Sequence, residues 1–153
     1  MDYLDTSYVV ALAVKTDVNH NNALRLEREV EEPIISSLVA AEVYTYYSRT
    51  LSRILGKASL EDYEEKIEAM VEYSIKRCKA KLLKVNLNDV VEQVRNYAPK
   101  IPLKTLDLIH LLIAKALGAT RIVTLDSDFY RKRNQIKKWL NLNILTIGRN
   151  ATK

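Results

Sequence analysis

Residues 105–129 read TLDLIHLLIAKALGATRIVTLDSDF. The first half is apolar almost throughout from Leu106 to Leu117 and closes at Gly118, as helices commonly do. Residues 121–125, RIVTL, then form a short β-branched run of the kind that makes a strand. Asp126 stands directly after that run, and Ser127 opens a basic helix reaching about residue 140. A helix, a glycine, a strand, an acid and a second helix are the repeating parts of an α/β fold.

The same grammar extends in both directions. A short strand at Tyr3–Leu4 ends at Asp5, and residues 7–14 are helical in pattern. Residues 19–32 predict an amphipathic helix that stops before Pro33. Residues 33–36, PIIS, predict a second strand, and Ser36 or Ser37 suits the cap of a helix over 38–55. Gly56 is the expected stop, and Ser59 with Asp62 resembles the start of a further helix to about residue 79. Residues 81–87 predict a third strand, Asn88 a cap for a helix ending near Pro99, and residues 143–147 a fifth strand. Strands alternating with helices require crossover connections, hence a parallel sheet buried on both faces. No repeat or linker interrupts the pattern, so one domain over 1–153 is expected.

Composition narrows the chemistry. Cys78 is the lone cysteine and there are two histidines, so a cysteine-rich zinc site and a Cys–His or Ser–His–Asp machine are poor fits. There is no glycine-rich phosphate loop and no dinucleotide fingerprint. No stretch has the ~20 apolar residues of a membrane span, and the N-terminus has no basic leader; a reducing, cytoplasmic setting is expected. The net charge is +5, a balance that favours polyanions such as nucleic acid. Basic residues concentrate in 76–84 (KRCKAKLLK) and 131–138 (RKRNQIKK), which suit either solvated helix faces or phosphate contacts.

Against this basic background, acids stand inside apolar segments. Asp5 and Asp126 each follow a predicted strand, and ligands of open parallel sheets bind at the carboxyl ends of strands. Taken singly, each is also an ordinary turn residue. Glu42 lies in LVAAEVYTYY, with Leu38, Val39, Thr45 and Tyr46 as helical neighbours. A buried carboxylate there needs a metal ion or a cationic partner, the alternative being an ion pair with Arg or Lys. Asp107 falls in the first turn of the apolar helix, with Thr105 as the expected cap; the helix dipole favours an acid at that place. Asp128 suits either a further ligand or the cap of the basic helix. His110, one turn after Asp107, could face the same site, though a lone histidine on an apolar helix reads more readily as a hydrogen-bonded core residue; His20 reads as surface.

These acids, in this order, resemble the PIN-domain nucleases, especially the VapC-type toxins of prokaryotic toxin–antitoxin pairs. The resemblance covers essentially the whole chain and rests on LDTS at Asp5, SSLVAAEV at Glu42, LDLIHLLIAKALGA at Asp107 and IVTLDSDF at Asp126. It implies a three-layer α/β/α sandwich around a five-stranded parallel sheet in the order 3-2-1-4-5. Asp5, Glu42, Asp107 and Asp126 would then converge as catalytic metal ligands, with Asp128 where some members carry a further acid and Thr6 and Thr124 as nearby hydroxyls. The implied activity is hydrolysis of RNA phosphodiesters with Mg²⁺ or Mn²⁺, and the implied partners are RNA, a cognate antitoxin and a second copy in a homodimer. The 56–79 segment is longer than in many compact members, which bears on the RNA groove and the partner surface.

The cation also has an independent warrant. Several carboxylates cannot converge as anions without one between them, and hard oxygen ligands suit Mg²⁺ or Mn²⁺ rather than zinc. The competing readings are a noncatalytic binding module of the same fold and a metal-dependent phosphohydrolase of small substrates.

Overall fold

The computed structural model describes residues 1–55 and 60–147. Five strands, β1 (Asp2–Leu4), β2 (Pro33–Ser36), β3 (Lys81–Leu83), β4 (Arg121–Val123) and β5 (Asn143–Leu145), form one parallel sheet in the order β3-β2-β1-β4-β5. The expected order is therefore the observed one. Strand β1 is central and buried throughout, whereas β3 at the edge is exposed or half-buried. Apolar density thus follows position in the sheet, as burial on both faces requires.

The helices are α1 (Thr6–Ala13), α2 (His20–Glu27), α3 (Ser37–Leu55), α4 (Leu60–Arg77), α5 (Leu87–Tyr97), α6 (Thr105–Ala116), α7 (Ser127–Arg131) and α8 (Arg133–Leu140). Helices α1 to α4 pack with one another, and α5, α6 and α8 form a second group. The chain winds outward from β1 to β3, then returns to β4 on the other side of β1. Right-handed crossovers place those two excursions on opposite faces. The point of reversal lies between β1 and β4, where a crevice opens at the strand ends. Helix α6 holds the longest buried run among the described residues; every residue from Leu108 to Ala114 is buried. Gly118 closes it at φ +74°, with its N–H on the Lys115 carbonyl and the next N–H on Ala114.

Several boundaries differ from the sequence expectations. Helix α2 ends at Glu27 because residues 28–32 turn the chain into the sheet; Glu32 takes φ 44° and the Asp2 carboxylate accepts the Glu31 N–H. Strand β3 stops at Leu83, and the cap of α5 is Asn86, whose side chain accepts the Asn88 N–H. Thr105 is the first residue of α6 and does not cap it; Lys104 holds that position, without a side-chain cap bond. The basic helix over 127–140 is two helices, broken at Lys132 (φ −99°, ψ 9°). The expected stop at Gly56 and cap at Ser59 lie outside the described residues. No helix among the described residues is long and apolar enough to cross a membrane.

Candidate metal centre

The site begins with strand register. Leu4 pairs with Val123, and the Asp5 N–H continues the ladder onto the Val123 carbonyl at 3.0 Å. This sets Asp5 beside Thr124 although 119 residues separate them. Asp5 occupies the cap position of α1 but does not cap it with its side chain. Its carboxylate oxygen Oδ2 instead accepts the hydroxyls of Ser7 at 2.6 Å and Thr124 at 2.8 Å. Thr124 Oγ1 in turn accepts the Asp126 N–H at 3.0 Å, and Ser7 Oγ accepts the Leu125 N–H at 3.1 Å. Two hydroxyls therefore lock one oxygen of Asp5 and tie the ends of β1 and β4 together, as outer-shell groups do for metal ligands.

Asp126 Oδ1 accepts the Asp128 N–H at 2.8 Å and so caps α7. This corrects the view of Asp128 as the cap. The Asp128 carboxylate is paired with Arg131 instead. One carboxylate oxygen from each of Asp107, Asp126 and Asp128 lies within 4.8 Å of the other two.

Asp107 is the unsatisfied member. Its Oδ2 is buried and has no hydrogen-bond partner. Burial raises its pKa, and the nearby charges of Asp126 and Asp5 raise it further, with Lys104 opposing. A buried oxygen without a donor costs about 1–3 kcal/mol, so it marks a place suited to a cation or a proton. The donor set is all hard oxygen, while Cys78 is buried in the core. These residues fit a divalent ion of the Mg²⁺ or Mn²⁺ type.

Glu42 is arranged otherwise than expected. It is about a quarter exposed, and its partner is neither Arg nor Lys. Its Oε2 accepts the Thr6 hydroxyl and also lies 2.8 Å from His110 Nε2. A carboxylate can only accept, so the proton is assigned to Nε2. On the other side of the ring, Nδ1 is 2.9 Å from the Tyr3 hydroxyl, which is 2.8 Å from Ser36 Oγ. Burial opposes charge on both Glu42 and His110, but their mutual hydrogen bond prevails. The Glu42 carboxyl is held below its ordinary range and the His110 imidazole above its own. His110 is thus the core residue expected, with a polar duty at the cleft wall that the sequence reading did not assign. The hint was present: it is the one polar side chain in the buried run of α6.

Asp5, Glu42, Asp107 and Asp126 all line a single cleft of about 650 Å³. Asp128 lines a smaller adjoining hollow of about 230 Å³ with Lys104, Arg131 and Lys132. Arg49 and Arg53 of α3 also face the large cleft. They were missed, although their spacing of seven and eleven residues from Glu42 puts them near one helical face. The segment 76–84 contributes nothing to either lining; Lys76 pairs with Glu72 and Arg77 with Glu27. His20, expected at the surface, is half-buried with Nδ1 2.8 Å from the Ala11 carbonyl.

A PIN domain family model matches residues 3–135. Comparison with curated proteins finds no match. Among solved structures, the chain is similar to VapC20 of Mycobacterium tuberculosis, a sarcin-ricin loop cleaving toxin, with 20% identity, a TM-score of 0.60 and coverage of 86% of this chain and 94% of that one. It is similar to VapBC2 of Rickettsia felis, bound to a fragment of its promoter DNA, at 20% identity and TM-score 0.60, covering 97% and 100%. FitAcB of Neisseria gonorrhoeae gives 13% identity and TM-score 0.59, covering 95% and 97%. At such identities these likenesses speak for the fold alone.

Proposed function

The chain belongs to the PIN domain family, and on that premise we propose that it is a metal-dependent ribonuclease, the toxin of a toxin–antitoxin pair. The observation that carries the chemistry is the buried, unpartnered Asp107 Oδ2 in a cleft that also gathers Asp5, Asp126 and Glu42. Asp107 and Asp126 would hold Mg²⁺ or Mn²⁺ with Asp128, whose Oδ1 alone is taken by Arg131, and Asp5 would join them from the same cleft wall. Such an ion, when bound, activates water and stabilises charge on the attacking and leaving oxygens of a phosphoryl displacement.

The side chains divide the remaining work. Ser7 and Thr124 fix the Asp5 carboxylate so that its Oδ1 is directed away from their hydroxyls. His110 and Thr6 hold Glu42 by Oε2, leaving Oε1 to take the proton of the attacking water. Hydrolysis forms one P–O bond to water oxygen and breaks one to the leaving ribose oxygen, which acquires a proton from solvent. The toxin role and a cognate antitoxin draw support from the family and from neighbours whose names include a toxin and the VapBC2 and FitAcB assemblies, and a homodimer is part of the same proposal.

The test is Mn²⁺-dependent cleavage of structured RNAs by wild type and Asp5→Asn. We expect cleavage by the first and none by the second, with both folded by circular dichroism. Undiminished cleavage by Asp5→Asn would overturn the assignment.

A further inference from the structure

The acidic floor of the site is bordered by cations from both faces of the sheet. On one side, α3 presents Arg49 and Arg53 to the large cleft. Both are exposed, and among the described residues neither forms an ion pair. They are four residues apart, so about 6 Å of helix rise separates them on one face. On the other side, Lys104 and Lys132 line the hollow beside Asp128. Lys104 is near enough to Asp107 to oppose the rise of its pKa. Among the described residues Lys132 makes no ion pair, whereas Arg131 in the same hollow is paired with Asp128. Asp128 joins the two spaces, since its carboxylate meets those of Asp107 and Asp126.

Unpaired cations beside an anionic centre are poorly explained by stability. Each would gain by pairing with the acids, yet Asp107, Asp126 and Asp128 gather together with Arg131 alone paired to them, and among the described residues Arg49, Arg53, Lys104 and Lys132 form no ion pair. A polyanion laid across the floor gives every group a partner: the reacting phosphate at the carboxylates with their ion, and its chain neighbours at the flanks. We propose that Arg49 with Arg53, and Lys104 with Lys132, are two separate phosphate-positioning flanks that bind the RNA strand on opposite sides of the scissile bond. The two helical groups packing on opposite faces of the sheet supply one flank each, and this polarity would fix the direction in which a strand lies. The inference rests on the ribonuclease reading above.

The test uses the full chain with Mn²⁺ and oligoribonucleotides lengthened from the cleaved bond in one direction at a time. For each protein the quantity read is the gain in kcat/KM on lengthening, relative to its own shortest cleaved substrate. Arg49→Ala/Arg53→Ala is expected to lose roughly tenfold of the gain for extension in one direction, and Lys104→Ala/Lys132→Ala for extension in the other, with the salt dependence of each flatter by about 1.4 in log–log slope. Arg49→Lys/Arg53→Lys, which keeps the charge, should restore most of the loss. If both variants respond to the same extension, or neither alters the gain, the two-flank assignment is overturned while the ribonuclease reading stands. If wild type cleaves no RNA with Mn²⁺ or Mg²⁺, the ribonuclease reading falls and takes the flanks with it.

Discussion

His110 Nε2 lies 2.8 Å from Glu42 Oε2, so the buried helix α6 and the cleft helix α3 are joined through an imidazole and a carboxylate. His110 is 2% exposed, which makes it a fixed donor rather than a mobile one. Replacing it by Leu leaves Glu42 with Thr6 alone and Tyr3 with Ser36 alone. The loss is expected to be roughly 2–3 kcal/mol, the range for a hydrogen bond to a charged group. Thermal melting should therefore fall by about 5–10 °C in a chain of this size. A double-mutant cycle with Glu42→Gln checks that the loss belongs to the pair; additivity of the two changes would refute it.

The same pair predicts a pH window. The Glu42 pKa is lowered, so its contribution is present above its ordinary value of 4.5 and lost as pH falls through the lower folded value. The His110 pKa is raised, so its contribution is full below its ordinary value of 6.5 and lost as pH rises through the higher folded value. Both contributions are complete between those ordinary values. The difference in melting temperature between metal-free wild type and His110→Leu should peak there and shrink on either side. A difference that does not change with pH would count against the charged pair.

Asp107 should report metal binding directly. Its raised pKa means that an ion must displace a proton or relieve repulsion, so Mn²⁺ affinity should increase as pH rises. At an ion concentration one hundred times Kd, wild type should gain about 2.7 kcal/mol. Asp107→Asn should lose this Mn²⁺-induced rise in melting temperature, while its metal-free melting point stays at or above that of wild type because a repelled carboxylate is gone. Retention of the full Mn²⁺ shift by the variant would remove Asp107 from the ligand set.

Thr124→Val probes the locking of Asp5. The hydroxyl is fully buried and serves both the Asp5 carboxylate and the Asp126 N–H. Its removal at nearly constant volume should lower metal affinity by about 10–100-fold, the usual effect of deleting an outer-shell partner. Calorimetric titration with Mn²⁺ measures this, and unchanged affinity would show that Asp5 needs no such support.

Asp2 is a control of opposite character. It lies on the same strand as Asp5, is 1% exposed, and accepts two hydrogen bonds from the Arg121 guanidinium at 2.8 and 2.6 Å. It sits at the start of the strand, away from the cleft lining. Asp2→Ala should cost roughly 1–3 kcal/mol: Arg121 keeps the Glu29 carbonyl and Glu31 but loses its two-oxygen partner, and the Glu31 N–H loses its acceptor. RNA cleavage per folded molecule, measured well below the melting transition, should be unaffected; a variant that folds but does not cleave would contradict this division.

Alternation of apolar runs and helical patterns was enough to read an α/β chain, because periodicity records which residues face a core. The placement of Asp5 and Asp126 after strands was legible for the same reason, and the sheet order followed from the resemblance rather than from the residues. Local boundaries were less legible. The cap at Asn86 and the break at Lys132 depend on short-range hydrogen bonds that several residues in each stretch could have made. The identity of polar partners was decided only by tertiary structure. Glu42 finds His110 across 68 residues, and Asp5 finds Thr124 across 119, because strand register and helix packing bring them within reach. Helical spacing can say which way a side chain points; only the packed fold says what waits there. For the same reason, sequence placed four acids in a plausible order, while the fold distinguished Glu42, already hydrogen-bonded, from Asp107, still lacking a partner for a buried oxygen.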